Sequence, residues 1–131
     1  MEFALLMPWY VFLFVGAFDF GFYSYALISA ETAARVSAMY SSASPSAAAD
    51  SPTACSYSLD QLRNMPNIGS SLTTCTASPL VVTATYVASG PDGGAATSVT
   101  VTYTTPQLIP IPGLLPGILT INRTVEMRLR S

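Results

Sequence analysis

The stretch Phe3–Phe18, FALLMPWYVFLFVGAF, sets the architecture. It carries no charge, and between Glu2 and Glu31 the only charged residue is Asp19. A helix rises about 1.5 Å per residue, so roughly 20 residues cross the hydrocarbon core of a bilayer. Phe3–Leu27 is therefore long enough to cross one. A cleaved secretory signal is a poorer reading. There is no basic leading region, the apolar run is too long, an acid stands at position 2, and no small-residue cleavage site follows.

Outward from this stretch the helix continues. Ala30–Ala38 favours helix, and Glu31 with Arg35 is an i,i+4 pair in the better order. The signal ends at the breaker cluster Ser41-Ser42-Ala43-Ser44-Pro45. One helix of about 40 residues, near 60 Å long, is expected over residues 1–40. Pro8 removes one backbone donor inside it, which predicts a kink or a loosened turn. Gly16 and Gly21 would let a neighbouring helix approach closely, although their spacing is not that of the GxxxG dimer motif. The many aromatic residues of the segment read as helix packing.

Composition sets the outer bounds. The chain has 131 residues, which allows one small domain plus an appendage. Half of the residues are hydrophobic and 9% are charged, where a quarter or so is usual. Five basic residues, all Arg, and a net charge of −2 leave too little positive charge to neutralise a run of phosphates, so no nucleic-acid partner is expected. The chain has no His and two Cys, so it lacks the ligands of an ordinary zinc site and a histidine base. No catalytic residues, no metal and no cofactor are expected, and an enzyme is the least supported class.

Residues 41–78 read as an irregular connection, Ser-, Ala- and Pro-rich up to residue 57, holding one short helix. That helix is expected over Ser58–Met65, with Ser58 as N-cap, Gln61 in capping-box position and Pro66 as the stop. Cys55 and Cys75 flank it and are most simply a disulfide, the alternative being two buried thiols.

Residues 79–131 read as an antiparallel β head. Leu80–Ala88, Ala96–Thr104 and Ile118–Arg130 alternate like strands. The cluster Ser89-Gly90-Pro91-Asp92-Gly93-Gly94 turns the first into the second as a hairpin. In the last strand Leu119, Ile121, Val125, Met127 and Leu129 share the apolar side. A sheet of about three strands with one apolar face needs a cover, and the C-terminal half of the long helix supplies it. The fold class is α+β, a protruding apolar helix with a small head. Two further features stand out. The loop Thr105–Gly117 carries Leu108, Ile109, Ile111, Leu114 and Leu115, more apolar than a monomer surface usually is. It either folds over the end of the sheet, docks on a neighbouring subunit or dips into a membrane. Asn122-Arg123-Thr124 fits the glycosylation sequon, with Asn122 on the polar side of its strand.

The order and spacing of Glu2-Phe3-Ala4-Leu5, Pro8, Gly16, Asp19-Phe20-Gly21 and Ala33-Ala34-Arg35 closely resembles the TadE-like pseudopilins of tight-adherence (Tad) pili, a branch of the type IV pilus superfamily. The final third resembles them more loosely, and the Cys loop not at all. The resemblance implies a bacterial pilin-like lollipop, anchored in the inner membrane before assembly and then placed in an extracellular pilus. It implies prepilin peptidase and the pilus assembly machinery as partners, and a helical homo-oligomer as product. Family precursors carry a short basic leader ending in Gly. The sequence shows none and reads as mature. The Glu usually falls near the fifth mature residue, so either a few residues precede Met1 or the cleavage site departs from the family's.

Glu2, Phe3, Pro8, Gly16, Asp19 and Gly21 are the expected assembly and register residues. An unpaired carboxylate in hydrocarbon or in a dry filament core is costly. In related pilins the matching Glu meets the N-terminal amine of a neighbouring subunit, a pairing satisfied only in register. A filament-forming subunit is the expected function. The alternatives are a minor TadE-like pseudopilin that initiates or tips a pilus made of another pilin, and a membrane-anchored binding module.

Overall fold

Helix α1 runs from Glu2 to Ser41 in the computed structural model, which describes residues 2–109 and 117–130. It continues through Pro8. Its C-terminal half buries Ala26, Ala30, Ala33, Ala34, Ser37 and Ala38. Those steps of three and four residues place small side chains on one face, so the helix backbone lies close to what it packs on. It packs on strands β3 (Ala96–Thr104) and β4 (Thr120–Arg128). Val99, Val101, Tyr103 and Ile121 meet the alanines in one core.

The sheet has four strands in the order β1-β2-β3-β4, every neighbour antiparallel. β1 is Thr76–Ala77 and β2 is Leu80–Val87. The register pairs Leu80 with Tyr103, Val82 with Val101 and Ala84 with Val99. It then pairs Tyr103 with Ile121 and Val99 with Val125, so the alternation of β-branched residues collects on one side. The three expected strands are present with nearly their expected bounds. The fourth, β1, is two residues long, too short for a periodic signal.

The short helix differs from its expectation. Helix α2 spans Ser51–Leu62, not Ser58–Met65. Asp50 is its N-cap, accepting from the Thr53 N–H at 3.1 Å, and Pro52 stands in its first turn, where the missing donor costs nothing. Hydrogen bonding to Thr53, through side chain and backbone, holds the Asp50 carboxyl below the usual carboxylate range. Ser58 is therefore no cap. It is buried in mid-helix, where its hydroxyl meets Ser37 Oγ of α1 at 2.8 Å. A 3₁₀ turn, Ala47–Ala49, also lies within the expected irregular stretch.

Helix α2 covers β2. Ser51 at its start bonds Ala84 twice, accepting from the N–H at 2.9 Å and donating to the carbonyl at 3.3 Å. Cys55 and Cys75 form the disulfide that ties α2 to the segment before β1. Tyr103 is wholly buried and donates to Asn67 Oδ1 at 2.7 Å, while Asn67 Nδ2 donates to the Thr104 carbonyl at 2.7 Å. Burial pushes the Tyr103 hydroxyl up to about 12.

Candidate assembly surface

The head covers only one half of α1. From Phe3 to Phe14 every residue of the helix is exposed, including Leu5, Trp9, Tyr10, Phe12 and Leu13. Phe3 is 86% exposed and Phe14 74%. These positions go round the whole helix, so no rotation of the head could bury them. A helix apolar on all sides is stable only inside protein or lipid. The helix is long and apolar enough to cross a membrane. Trp9 and Phe12 stack with ring centroids 6.2 Å apart.

Pro8 lies within the exposed half. Gly16 is half-buried, and a Cβ on exposed Gly21 would meet nothing within 4 Å. Gly21 therefore leaves a gap on the helix surface that only another molecule can fill. The side chain of Glu2 lies outside the described residues. Glu31 and Arg35 pair as the spacing predicts, on the exposed side of the helix.

Asp19 behaves differently from its neighbours. Phe18 and Phe20 are about two-thirds exposed, yet Asp19 is 2% exposed and its Oδ2 is buried with no hydrogen-bond partner. An orphan carboxylate oxygen away from water costs free energy unless something later satisfies it. Sequence reading marks Asp19 as an anomaly but gives no sign that it is already enclosed in the single chain. It also passes over Arg123. Arg123 pairs with Val101 in the register, so it stands on the helix-facing side of β4 among Ile121 and Val125. Its Nε is buried without a partner. The strict alternation of β4 carries this signal, since position 123 has the parity of the apolar set.

The apolar loop is described only at its stem. Thr105 N–H donates to the Leu119 carbonyl at 2.9 Å, and Leu108 N–H to the Gly117 carbonyl at 2.7 Å. Thr105 Oγ1 accepts from the Leu119 N–H at 2.9 Å. Leu108 is half-buried, and Ile109 and Ile118 are exposed. Ile111, Leu114 and Leu115 lie outside the described residues. The stem brings apolar side chains to the surface without covering them. Asn122 is exposed on the outer side of β4, as its parity predicts.

Comparison with curated proteins and with solved structures finds no match. A family model does match: that described as TadE-like protein, over residues 1–39. The matched segment is α1 almost to its end, the same segment that carries the exposed apolar half and the buried Asp19. Over its N-terminal helix, this chain is similar to TadE-like proteins.

Proposed function

We propose that the chain is a structural subunit of an extracellular Tad-type pilus, held in the inner membrane by α1 before assembly and packed through α1 in the filament. One observation carries this reading: half of a 40-residue helix is apolar on every side and uncovered by its own head. Lipid and a bundle of like helices are the two environments that satisfy such a segment, and a pilin passes from one to the other. The TadE-like match of the same helix supports the association with Tad pili and their assembly machinery.

In this reading apolar burial drives assembly, and the acids set register. Glu2 takes a cationic partner only when subunits stack correctly. Asp19 arrives already stripped of water, so an incoming donor gains the bond without the cost of desolvating the acid. Phe3 and Pro8 shape the first turns that enter the bundle. Gly16 and Gly21 admit neighbouring helices, and Ile109 and the rest of the apolar loop meet an adjacent head. Prepilin peptidase is the processing partner.

The TadE-like match also favours a second reading, a minor pseudopilin that initiates or tips a pilus made of another protein. Cryo-electron microscopy of filaments sheared from cells decides between them. The main-subunit reading expects the repeating density to be this chain, helices central and heads outside. A shaft built of another protein, with this chain confined to tip or membrane, overturns it in favour of the second.

A further inference from the structure

We propose that the cleft at the far end of the head, away from the free half of α1, binds a carboxylated sugar of the kind that repeats in acidic polysaccharides. The cleft has a volume of about 540 Å³ and is lined by Pro45, Tyr86, Ala95, Arg128, Leu129 and Arg130. That volume is in the range of small-ligand sites.

Its wall is fixed by backbone bonds. Where β4 ends, the Leu129 N–H donates to the Ala95 carbonyl at 2.9 Å, and the Arg130 N–H to the Ser42 carbonyl at 2.9 Å. These two bonds tie the strand's end to the hairpin stem and to the end of α1. Gly94 lets Arg128 lie against the turn, since a Cβ there would come within 3.1 Å of its Nε.

Charge gives the ligand's sign. Of the chain's five Arg, Arg35 is paired with Glu31 and Arg63 with Asp60. Among the described residues Arg128 and Arg130 make no ion pair and no side-chain hydrogen bond. Asp92 and Glu126 line a separate, smaller cleft that Arg128 also borders, about 80 Å³ in volume. Guanidinium groups match a carboxylate in a bidentate fork.

The remaining wall gives the ligand's body. Tyr86 is 47% exposed although it has the parity of the buried residues Leu80, Val82 and Ala84. With Pro45 and Leu129 it offers an apolar surface suited to the C–H face of a pyranose ring. Nucleic acid fits less well, because two cations on a chain of net negative charge cannot follow a phosphate run. That the cleft faces outward on a filament rests on the proposed function; binding to a single chain does not.

The test is titration calorimetry of the full chain in detergent with an oligosaccharide of three galacturonic acid units. Maltotriose, inorganic phosphate and a short DNA duplex serve as competitors. Binding is expected, weakened at least tenfold in Arg128→Gln, Arg130→Gln and Tyr86→Ala, and unchanged in Arg63→Gln. Amide spectra confirm that each variant is folded; should Arg128→Gln lose the head, the other two decide. No binding of the uronate, equal weakening by Arg63→Gln, or equal competition by maltotriose, phosphate or DNA overturns the proposal. Because the titration uses the chain outside any filament, a failure here is distinct from a failure to form filaments.

Discussion

Ser37 of α1 and Ser58 of α2 meet hydroxyl to hydroxyl at 2.8 Å, both wholly buried, and Ser37 Oγ also donates to the Ala54 carbonyl at 3.0 Å. The long helix is thus joined to the head by a polar contact inside an otherwise apolar seam. Ser37→Ala leaves the Ser58 hydroxyl and a carbonyl short of a partner, which costs about 1–3 kcal/mol. The double variant with Ser58→Ala is expected to lose less than the sum of the two single changes. A double-mutant cycle by urea denaturation in detergent checks this.

The alanine stripe sets the distance between α1 and the sheet. Ala30 is fully buried against the head, whereas Ile28 is 67% exposed. Ala30→Leu is expected to destabilise the head by about 1–3 kcal/mol through overpacking. Ile28→Leu should leave it unchanged. Amide exchange of β3 and β4 distinguishes the two.

The Cys55–Cys75 bridge closes a span of 20 residues that contains most of α2. Replacing both cysteines by Ala is expected to cost roughly 3 kcal/mol on the chain-entropy model. The loss should appear as a lower urea midpoint, with β2 and α2 exchanging first.

Tyr103 gives a pH dependence of known sign. Its hydroxyl is raised by burial from an ordinary 10.0 to about 12 in the folded chain. Below pH 10 both folded and unfolded chains hold the proton, and the contribution to stability is complete. Above pH 10 the unfolded chain releases it first, so stability falls as pH rises through about 12. The phenolate absorbance difference between the wild type and Tyr103→Phe is expected to have its midpoint near 12. A midpoint at 10 would show the hydroxyl to be solvated.

Asp19 separates a role in assembly from a role in folding. Asp19→Asn keeps the shape and removes the charge. We expect head stability, read by denaturation, to stay the same or rise, because a buried unpartnered carboxylate is relieved. On the proposed function, filament yield from cells is expected to fall at least tenfold. Unchanged yield with lowered stability would make Asp19 a residue of the fold alone.

Much of this architecture is legible in the sequence, for physical reasons. The long helix announces itself through 27 uncharged positions broken only by Asp19, and β2, β3 and β4 through alternation that each strand obeys almost to its last residue. The start of α2 is hidden because Ser51-Pro52-Thr53 resembles a linker by composition. What makes it a helix is the Asp50 cap with Pro52 in the first turn, a pattern outweighed by the more familiar spacing at Ser58 and Gln61. The candidate surface is half legible. The apolar residues of α1 are plain, but whether a head covers them depends on contacts distant in sequence. Asp19's enclosure and the arginine cleft arise where separate segments converge, and no local pattern marks either.

The bonds from Ser51 to Ala84 have a consequence for how copies of this chain can associate. Beyond the two residues that β1 pairs, the outer margin of β2 is occupied at its middle: Ser51 takes both main-chain groups of Ala84, and the Cys75 carbonyl takes the Val82 N–H at 2.9 Å. A strand from another molecule finds no continuous free ladder there. On the opposite margin, β4 places Glu126 and Arg128 on its exposed side. Sheets guarded in this way resist edge-to-edge growth. On the proposed function, the filaments are therefore expected to be cohesive through interlocked helices and to come apart in detergent, unlike cross-β deposits, which survive it.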